Sequence, residues 1–131
     1  MDVNVKIESI HGDEEPIVSS YKGSWNAADG RQYISYRSGD MLTVKKDELI
    51  IDEAGEMRAH IVLRPDGQVR STLFATPFGT MTFGIDTHYL RMAQIPGSLM
   101  IEAGYSLMAE QELVNDVSMT ITVTAVSEFK K

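Results

Sequence analysis

Apolar and polar residues alternate along most of this chain, in short segments separated by breaks. The first ten residues show the pattern plainly, because Val3, Val5 and Ile7 are each followed by a polar residue. The same period of two recurs over residues 57–63 and 117–125. Alternate residues of a β-strand point to opposite faces, so these segments predict strands with one apolar and one solvated face.

Turn residues punctuate the alternating segments. Ala28-Asp29-Gly30 and Pro65-Asp66-Gly67 are typical of tight turns, since Asp and Gly tolerate positive φ and Pro presets a negative one. Strands joined by such short turns pair antiparallel with their neighbours. We therefore predict an all-β protein of about 8–10 antiparallel strands, either a barrel or a sandwich. Frequent Gly and Thr within the strands favour the curvature of a closed barrel.

Two segments need separate interpretation. Residues 71–92 contain two β-rich runs on either side of Thr76-Pro77-Phe78-Gly79, where a strand has to end or bend because Pro donates no backbone hydrogen bond. Residues 105–114 are rich in good helix formers and fit a short helix. The preferred alternative for them is the end of one strand, an acidic turn and the start of the next.

Composition sets the broad class of protein. The chain has 131 residues, which predicts a single domain over residues 1–131. It has no cysteine, so disulfides and thiolate ligands are excluded. No apolar run approaches the roughly 18 residues of a membrane-spanning helix. We expect a cytoplasmic protein without a membrane partner.

Charge argues against nucleic acid as a partner. The formal net charge is −7, and the basic residues are spread along the chain rather than gathered in a stripe. Acidic groups such as Asp13-Glu14-Glu15 and Asp52-Glu53 fall in predicted turns. We interpret them as a solvated rim that serves solubility.

No motif points to catalysis, a metal or a cofactor. His11, His60 and His88 are far apart and show no metal-ligand spacing. There is no Gly-x-Ser-x-Gly elbow and no phosphate-binding loop. Asp86 and His88, two residues apart on a predicted strand, are the one pair that suggests acid–base chemistry. We predict a protein that is not an enzyme.

The remaining signal is a set of aromatic and long polar side chains on separate strands. Small barrels hold either packed side chains or one small ligand, so these residues either cap a core or line a pocket. Convergence of the arginines and tyrosines inside the barrel would favour a small amphipathic acid, its anionic group held by arginine. The only tryptophan, Trp25, is expected to be buried. The candidate ligand-binding residues are Tyr33, Tyr36, Arg37, Arg70, His88 and Tyr105.

Four short segments in this order resemble the YwiB-like family of small bacterial proteins, a domain of unknown function. The segments are Tyr33-Ile34-Ser35-Tyr36, Thr76-Pro77-Phe78-Gly79, Ile85-Asp86-Thr87 and Met119-Thr120-Ile121-Thr122. The resemblance covers nearly the whole chain. It implies a calycin-type antiparallel β-barrel, related in shape to the lipocalins, with no assigned activity.

Two functions from different classes follow. The first is binding of a small amphipathic ligand in or at the mouth of the barrel. The alternative is a protein–protein interaction module or homodimer that uses an edge strand or an exposed aromatic face. An internal cavity lined by Tyr and Arg favours the first, and a filled core with an apolar outer patch favours the second.

Overall fold

In a computed structural model the chain forms a closed barrel of ten antiparallel strands, each paired with the strands before and after it. The structure describes residues 1–110 and 112–126. Within them no helix is long and apolar enough to cross a membrane. The predicted antiparallel barrel of 8–10 strands is confirmed. The strands are β1 (Asp2–His11), β2 (Ile17–Ala28), β3 (Arg31–Tyr36), β4 (Asp40–Lys45), β5 (Glu48–Ala54), β6 (Arg58–Leu63), β7 (Val69–Thr76), β8 (Gly79–Ile95), β9 (Ser98–Ala109) and β10 (Glu112–Ala125).

The segment over residues 105–114 is strand, turn and strand rather than helix. Tyr105 lies in β9 and Val114 in β10, and Glu110 between them takes the positive φ of 52° that a tight turn needs. Gln111, which the acidic turn was predicted to include, lies outside the described residues. Tertiary pairing of both flanks overrides the local helix propensity here.

Pairing of the first and last strands closes the barrel. β1 runs antiparallel to β10 from Val3 opposite Ala125 to His11 opposite Val117. β1 also pairs with β2 along most of its length, so both ends of the meander are hydrogen-bonded. Closure removes the edge strands that an open sheet would expose.

The core is the inner face that sequence alternation predicted. Val3 and Val5 on β1, and Ile121 and Val123 on β10, are at most 1% exposed. Burial of such aliphatic side chains, each worth about 1.5–3 kcal/mol, stabilises the barrel wall. The largest fully buried apolar side chains elsewhere are Ile34, Leu42, Leu49, Leu63, Ile85, Leu99 and Ile101.

Trp25 packs at the end of the barrel where β2 turns into β3, and we call this the closed end. The side chain is 7% exposed, which confirms the predicted burial. Its indole Nε1–H donates to Oε1 of Gln32 at 2.8 Å, and Nε2 of Gln32 donates to Oε1 of Gln94 at 3.0 Å. The polar tip of the tryptophan is thus satisfied while its rings are buried.

Strand β8 bends at His88. The register between β8 and β9 shifts between Thr87 and Tyr89, so His88 is the extra residue of a β-bulge. A bulge bends its strand and increases the local twist. Pairing of β8 with β7 stops at Asp86, while β8 itself continues with β9 to Ile95.

The β6–β7 contact is the weakest in the barrel wall, and we call it the β6–β7 seam. Only Arg58–Ala75 and Ala59–Phe74 are paired across it. Side chains replace part of the missing ladder. Thr72 Oγ1 donates to the carbonyl of His60 across the seam. Where β7 pairs no further with β6, the backbone N–H of Arg64 donates to Thr87 Oγ1 of β8 at 3.1 Å.

Candidate functional site: the mouth of the barrel

The end opposite Trp25 opens into a cavity of about 400 Å³, and we call this end the mouth. Since consecutive strands alternate in direction, the connections after β1, β3, β5, β7 and β9 all lie at this end. The volume is within the range of sites for small organic ligands. The deeper wall is aliphatic and includes Ile7, Leu42, Ile51, Ile61, Val117 and Ile121.

Tyr36 and Tyr105 are buried tyrosines that line this cavity. They are 5% and 7% exposed, and each continues an inward-facing row, after Ile34 on β3 and Ala103 on β9. Burial, with Glu53 nearby, raises the pKa of Tyr105 to about 12. Burial also raises the pKa of Tyr36, and the charges of Asp40 and Glu53 add to the effect. Both side chains therefore remain neutral phenols at physiological pH.

The two hydroxyl groups are available to a ligand. Neither is hydrogen-bonded to protein in residues 1–110 and 112–126. In that part of the chain no side-chain polar atom is both shielded from solvent and unpartnered, so both hydroxyls have accessible surface. The site therefore offers two neutral groups that each donate and accept hydrogen bonds.

Arg37 stands at the rim, in the turn between β3 and β4. It adopts a φ of 45°, which is uncommon for a residue with a side chain. Its Nε donates to Oδ2 of Asp40 at 2.6 Å, and Nη2 pairs with the same oxygen. Nη1 donates to the Tyr21 hydroxyl at 3.3 Å, and the guanidinium carbon lies 5.2 Å from the centroid of the Tyr21 ring. A salt bridge and a cation–π contact therefore fix this side chain.

Two carboxylates that the sequence analysis did not select complete the site. The side chain of Asp40 is fully buried and also accepts the backbone N–H of Ala54 at 2.9 Å. Glu53 lines the cavity with Oε2 3.7 Å from Nη2 of Arg37. Burial raises the pKa of Glu53, the charge of Asp40 raises it further, and Arg37 opposes both.

Tyr33 and Arg70, two of the candidate ligand-binding residues, lie away from the mouth and do not line the cavity. The buried residues Ile34 and Tyr36 hold the even-numbered, inward positions of β3, so Tyr33, at an odd-numbered position, faces outward. Arg70 lies near the closed end, because β7 begins there, and Asp66 holds it through two hydrogen bonds of 3.0 and 2.6 Å. These bonds lower the pKa of Asp66 to about 2.

His88 also lies outside the cavity, at the bulge on the outer face. Its Nε2 is 2.5 Å from Oγ of Ser106, which donates to Oδ1 of Asp116 at 2.6 Å. The single hydroxyl proton of Ser106 thus goes to Asp116, so His88 donates to the serine instead of activating it. The partner suggested by sequence, Asp86, forms no hydrogen bond to His88 in the described chain.

The described residues contain no group of three or more His, Asp or Glu side chains arranged to hold a metal ion. The polar groups that line the cavity above the aliphatic wall are three phenols, one carboxylate, the paired guanidinium, an imidazole, an amide and two hydroxyls; they belong to Tyr21, Tyr36, Tyr105, Glu53, Arg37, His11, Asn115, Ser9 and Ser19. Such a set can orient a polar head group while the wall takes an apolar tail.

Comparisons with known proteins agree with this fold. Residues 3–121 match the family model "Domain of unknown function (DUF1934)", and the chain belongs to that family. The crystal structure of the ywiB protein from Bacillus subtilis superposes with a TM-score of 0.83 and 15% sequence identity, covering 96% of this chain and 92% of that one. At this identity the likeness shows the fold alone. No curated protein matches the chain significantly.

Proposed function

We propose that this DUF1934 barrel binds a small amphipathic molecule in its mouth, in the manner of a lipocalin-like carrier. The observation that supports the proposal is the cavity of about 400 Å³, with an aliphatic wall and the hydroxyls of Tyr36 and Tyr105 at its surface. Accessible polar groups without a protein partner, set beside apolar surface, are typical of binding sites. We expect the ligand to be met in the cytoplasm, since the chain has no cysteine.

The geometry gives no support to a catalytic function for the mouth. Hydrolysis would need a nucleophile beside a base, and the cavity offers Ser9 and Ser19 without a hydrogen-bonded histidine among the described residues. Binding without chemical turnover is the simpler use of the groups present.

A matched pair of serines tests the proposal. Ser19 lines the cavity, whereas its neighbour Ser20 is exposed on the outside of β2. N-phenyl-1-naphthylamine, a dye that is uncharged at neutral pH and fluoresces in apolar sites, serves as the probe. Ser19→Phe should fill part of the cavity and weaken dye binding by about tenfold, a loss of about 1.4 kcal/mol. Ser20→Phe should bind like the parent. Absence of dye binding by the parent, or equal binding by both variants, would refute the proposal.

An exposed apolar outer face supports the alternative of a homodimer or interaction module. Val69 and Leu73 on the outer face of β7 are each more than half exposed, and Phe78 in the turn after β7 is fully exposed. Isolated apolar side chains are ordinary on surfaces, but a neighbouring group of them is typical of contact sites. Because the barrel is closed, this route uses the aromatic face rather than a free edge strand. Sedimentation of Leu73→Ser beside the parent tests it, and an unchanged monomer in both would exclude the homodimer.

A further inference from the structure

The arginine at the mouth is already neutralised. Arg37 is the only Lys or Arg among the described residues that line the cavity. Its guanidinium pairs with the fully buried carboxylate of Asp40, and Glu53 lies 3.7 Å from the same side chain. With one guanidinium and two carboxylates, these three residues have a formal charge of −1. An anionic head group would meet two carboxylates already grouped around this one guanidinium and would add a third negative charge to them.

The groups that remain available suit a hydrogen-bond donor of positive charge. Glu53 accepts no hydrogen bond from the described residues and shares the cavity with the hydroxyls of Tyr36 and Tyr105. A carboxylate beside aromatic rings is the combination that recognises ammonium groups. The rim already holds one cation in this way, since Arg37 lies over the ring of Tyr21.

The charge of the whole rim points the same way. The connections around the mouth carry five acidic residues and one basic residue, whereas those of the closed end carry three acidic and two basic residues. Most of the net charge of −7 is therefore concentrated where a ligand enters. Such a field attracts cations and repels anions during approach. The acidic residues of these connections are Asp13, Glu14, Glu15, Glu56 and Glu110, and the adjoining strand ends add Asp40, Glu53 and Glu112.

We infer that the ligand is an amphipathic amine, with its ammonium group on Glu53 among the tyrosines and its apolar chain against the aliphatic wall. The inference rests on the proposed function and specifies its ligand class. It replaces the amphipathic acid that the sequence predicted. A neutral alcohol of the same chain length would keep the apolar contacts and lose the ion pair.

Three compounds with one alkyl chain separate these ligand classes. Decylamine, decanoate and 1-decanol compete with N-phenyl-1-naphthylamine on the full chain. Decylamine should displace the dye at a concentration about tenfold lower than decanoate does, because its ammonium group forms a partly shielded ion pair with Glu53 that decanoate cannot form. Glu53→Gln should remove this preference, while Glu102→Gln, on the outer face of β9, should retain it. The parent and both variants are first compared for dye affinity and thermal unfolding.

The outcomes are distinguishable from failure of the proposed function. Failure of the dye to bind, or insensitivity to Ser19→Phe, rejects the cavity itself. If the dye binds the cavity but decanoate competes as well as decylamine, the amine assignment is wrong and the cavity stands. The assignment is equally wrong if Glu53→Gln keeps the preference for decylamine, or if none of the three compounds displaces the dye.

Discussion

Trp25 is the large aromatic side chain packed at the closed end of the barrel. Its rings fill the closed end, and its indole N–H is bonded to Gln32. Trp25→Ala should lower the free energy of unfolding by about 3 kcal/mol, because a buried aromatic is replaced by a cavity. Urea denaturation followed by circular dichroism measures the change, and Trp25→Phe should lose less. A loss under about 0.5 kcal/mol would mean that Trp25 behaves as a surface residue.

Glu53 should stabilise the fold less when it is ionised. Burial first, and then Asp40, raise its pKa in the folded protein, against the opposing effect of Arg37; Tyr36 and Tyr105 also face it. The folded state then binds the proton more tightly than the unfolded chain, whose glutamate pKa is about 4.3. Stability contributed by this group falls as the pH rises from the unfolded pKa toward the folded one.

Replacing the carboxylate should therefore stabilise the protein at neutral pH. Glu53→Gln is expected to raise the urea midpoint at about pH 7.5 and to lose this advantage near pH 4, where the parent is protonated too. Glu102→Gln is the control from the outer surface. A lower midpoint for Glu53→Gln at the higher pH would show that Glu53 stabilises the fold through Arg37. The expected result, stability gained while amine binding is lost, is typical of a residue kept for function.

The alternation of inward and outward positions along each strand explains which site residues can be identified from the sequence. Glu53 follows Leu49 and Ile51 at intervals of two, and Asp40 precedes Leu42 in the same way, so each carboxylate continues an inward row. The interpretation of Asp52-Glu53 as part of a solvated turn concealed that signal for Glu53. The alternation also misleads, because Arg70 shares the inward row of Thr72 and Phe74 but lies at the closed end. Position along the barrel axis is a tertiary property that alternation does not encode.

At the scale of the element, the β6–β7 seam should be the most easily opened part of the wall. Only two residue pairs join these strands, whereas β10 is paired along both sides. Backbone amides of β7 should exchange with deuterium roughly ten times faster than those of β10, since fewer cross-strand bonds protect them. Hydrogen-exchange mass spectrometry of the parent measures both strands in one experiment. Equal protection of β7 and β10 would show that side-chain bonds such as Thr72 to His60 compensate fully.

The bulge at His88 explains why the sequence pattern under-predicted β8. Before it, the inward residues are odd-numbered, such as Ile85 and Thr87, and after it they are even-numbered, such as Leu90 and Met92. A change of phase looks like the end of a strand, so the alternation predicts this strand only as far as Tyr89, whereas β8 runs to Ile95. A second register shift, between Leu113 and Asn115, lies near the start of β10, and the period of two predicted the rest of that strand from Val117 onward.

At the scale of the whole molecule, closure is the property that local patterns left open. A sandwich and a barrel show the same alternation of apolar and polar residues. Which of the two folds forms depends on the pairing of β1 with β10, in which Val3 lies opposite Ala125, 122 positions away in the chain. Frequent Gly and Thr favoured the barrel without determining that pairing. The cavity is likewise a consequence of closure, because the mouth exists only when all five of its connections surround one space.

A barrel closed by its two terminal strands should unfold as one unit, which also tests the predicted single domain. Loss of either β1 or β10 would leave two unpaired edges and expose the common core, so partial opening has little to stabilise it. Tryptophan fluorescence reports the closed end through Trp25, and far-ultraviolet circular dichroism reports all the strands. The two signals should give the same urea midpoint and the same slope. If the tryptophan signal changes at a lower urea concentration, the closed end unfolds before the rest of the barrel. The strands around the cavity would then stay folded without the packing of Trp25.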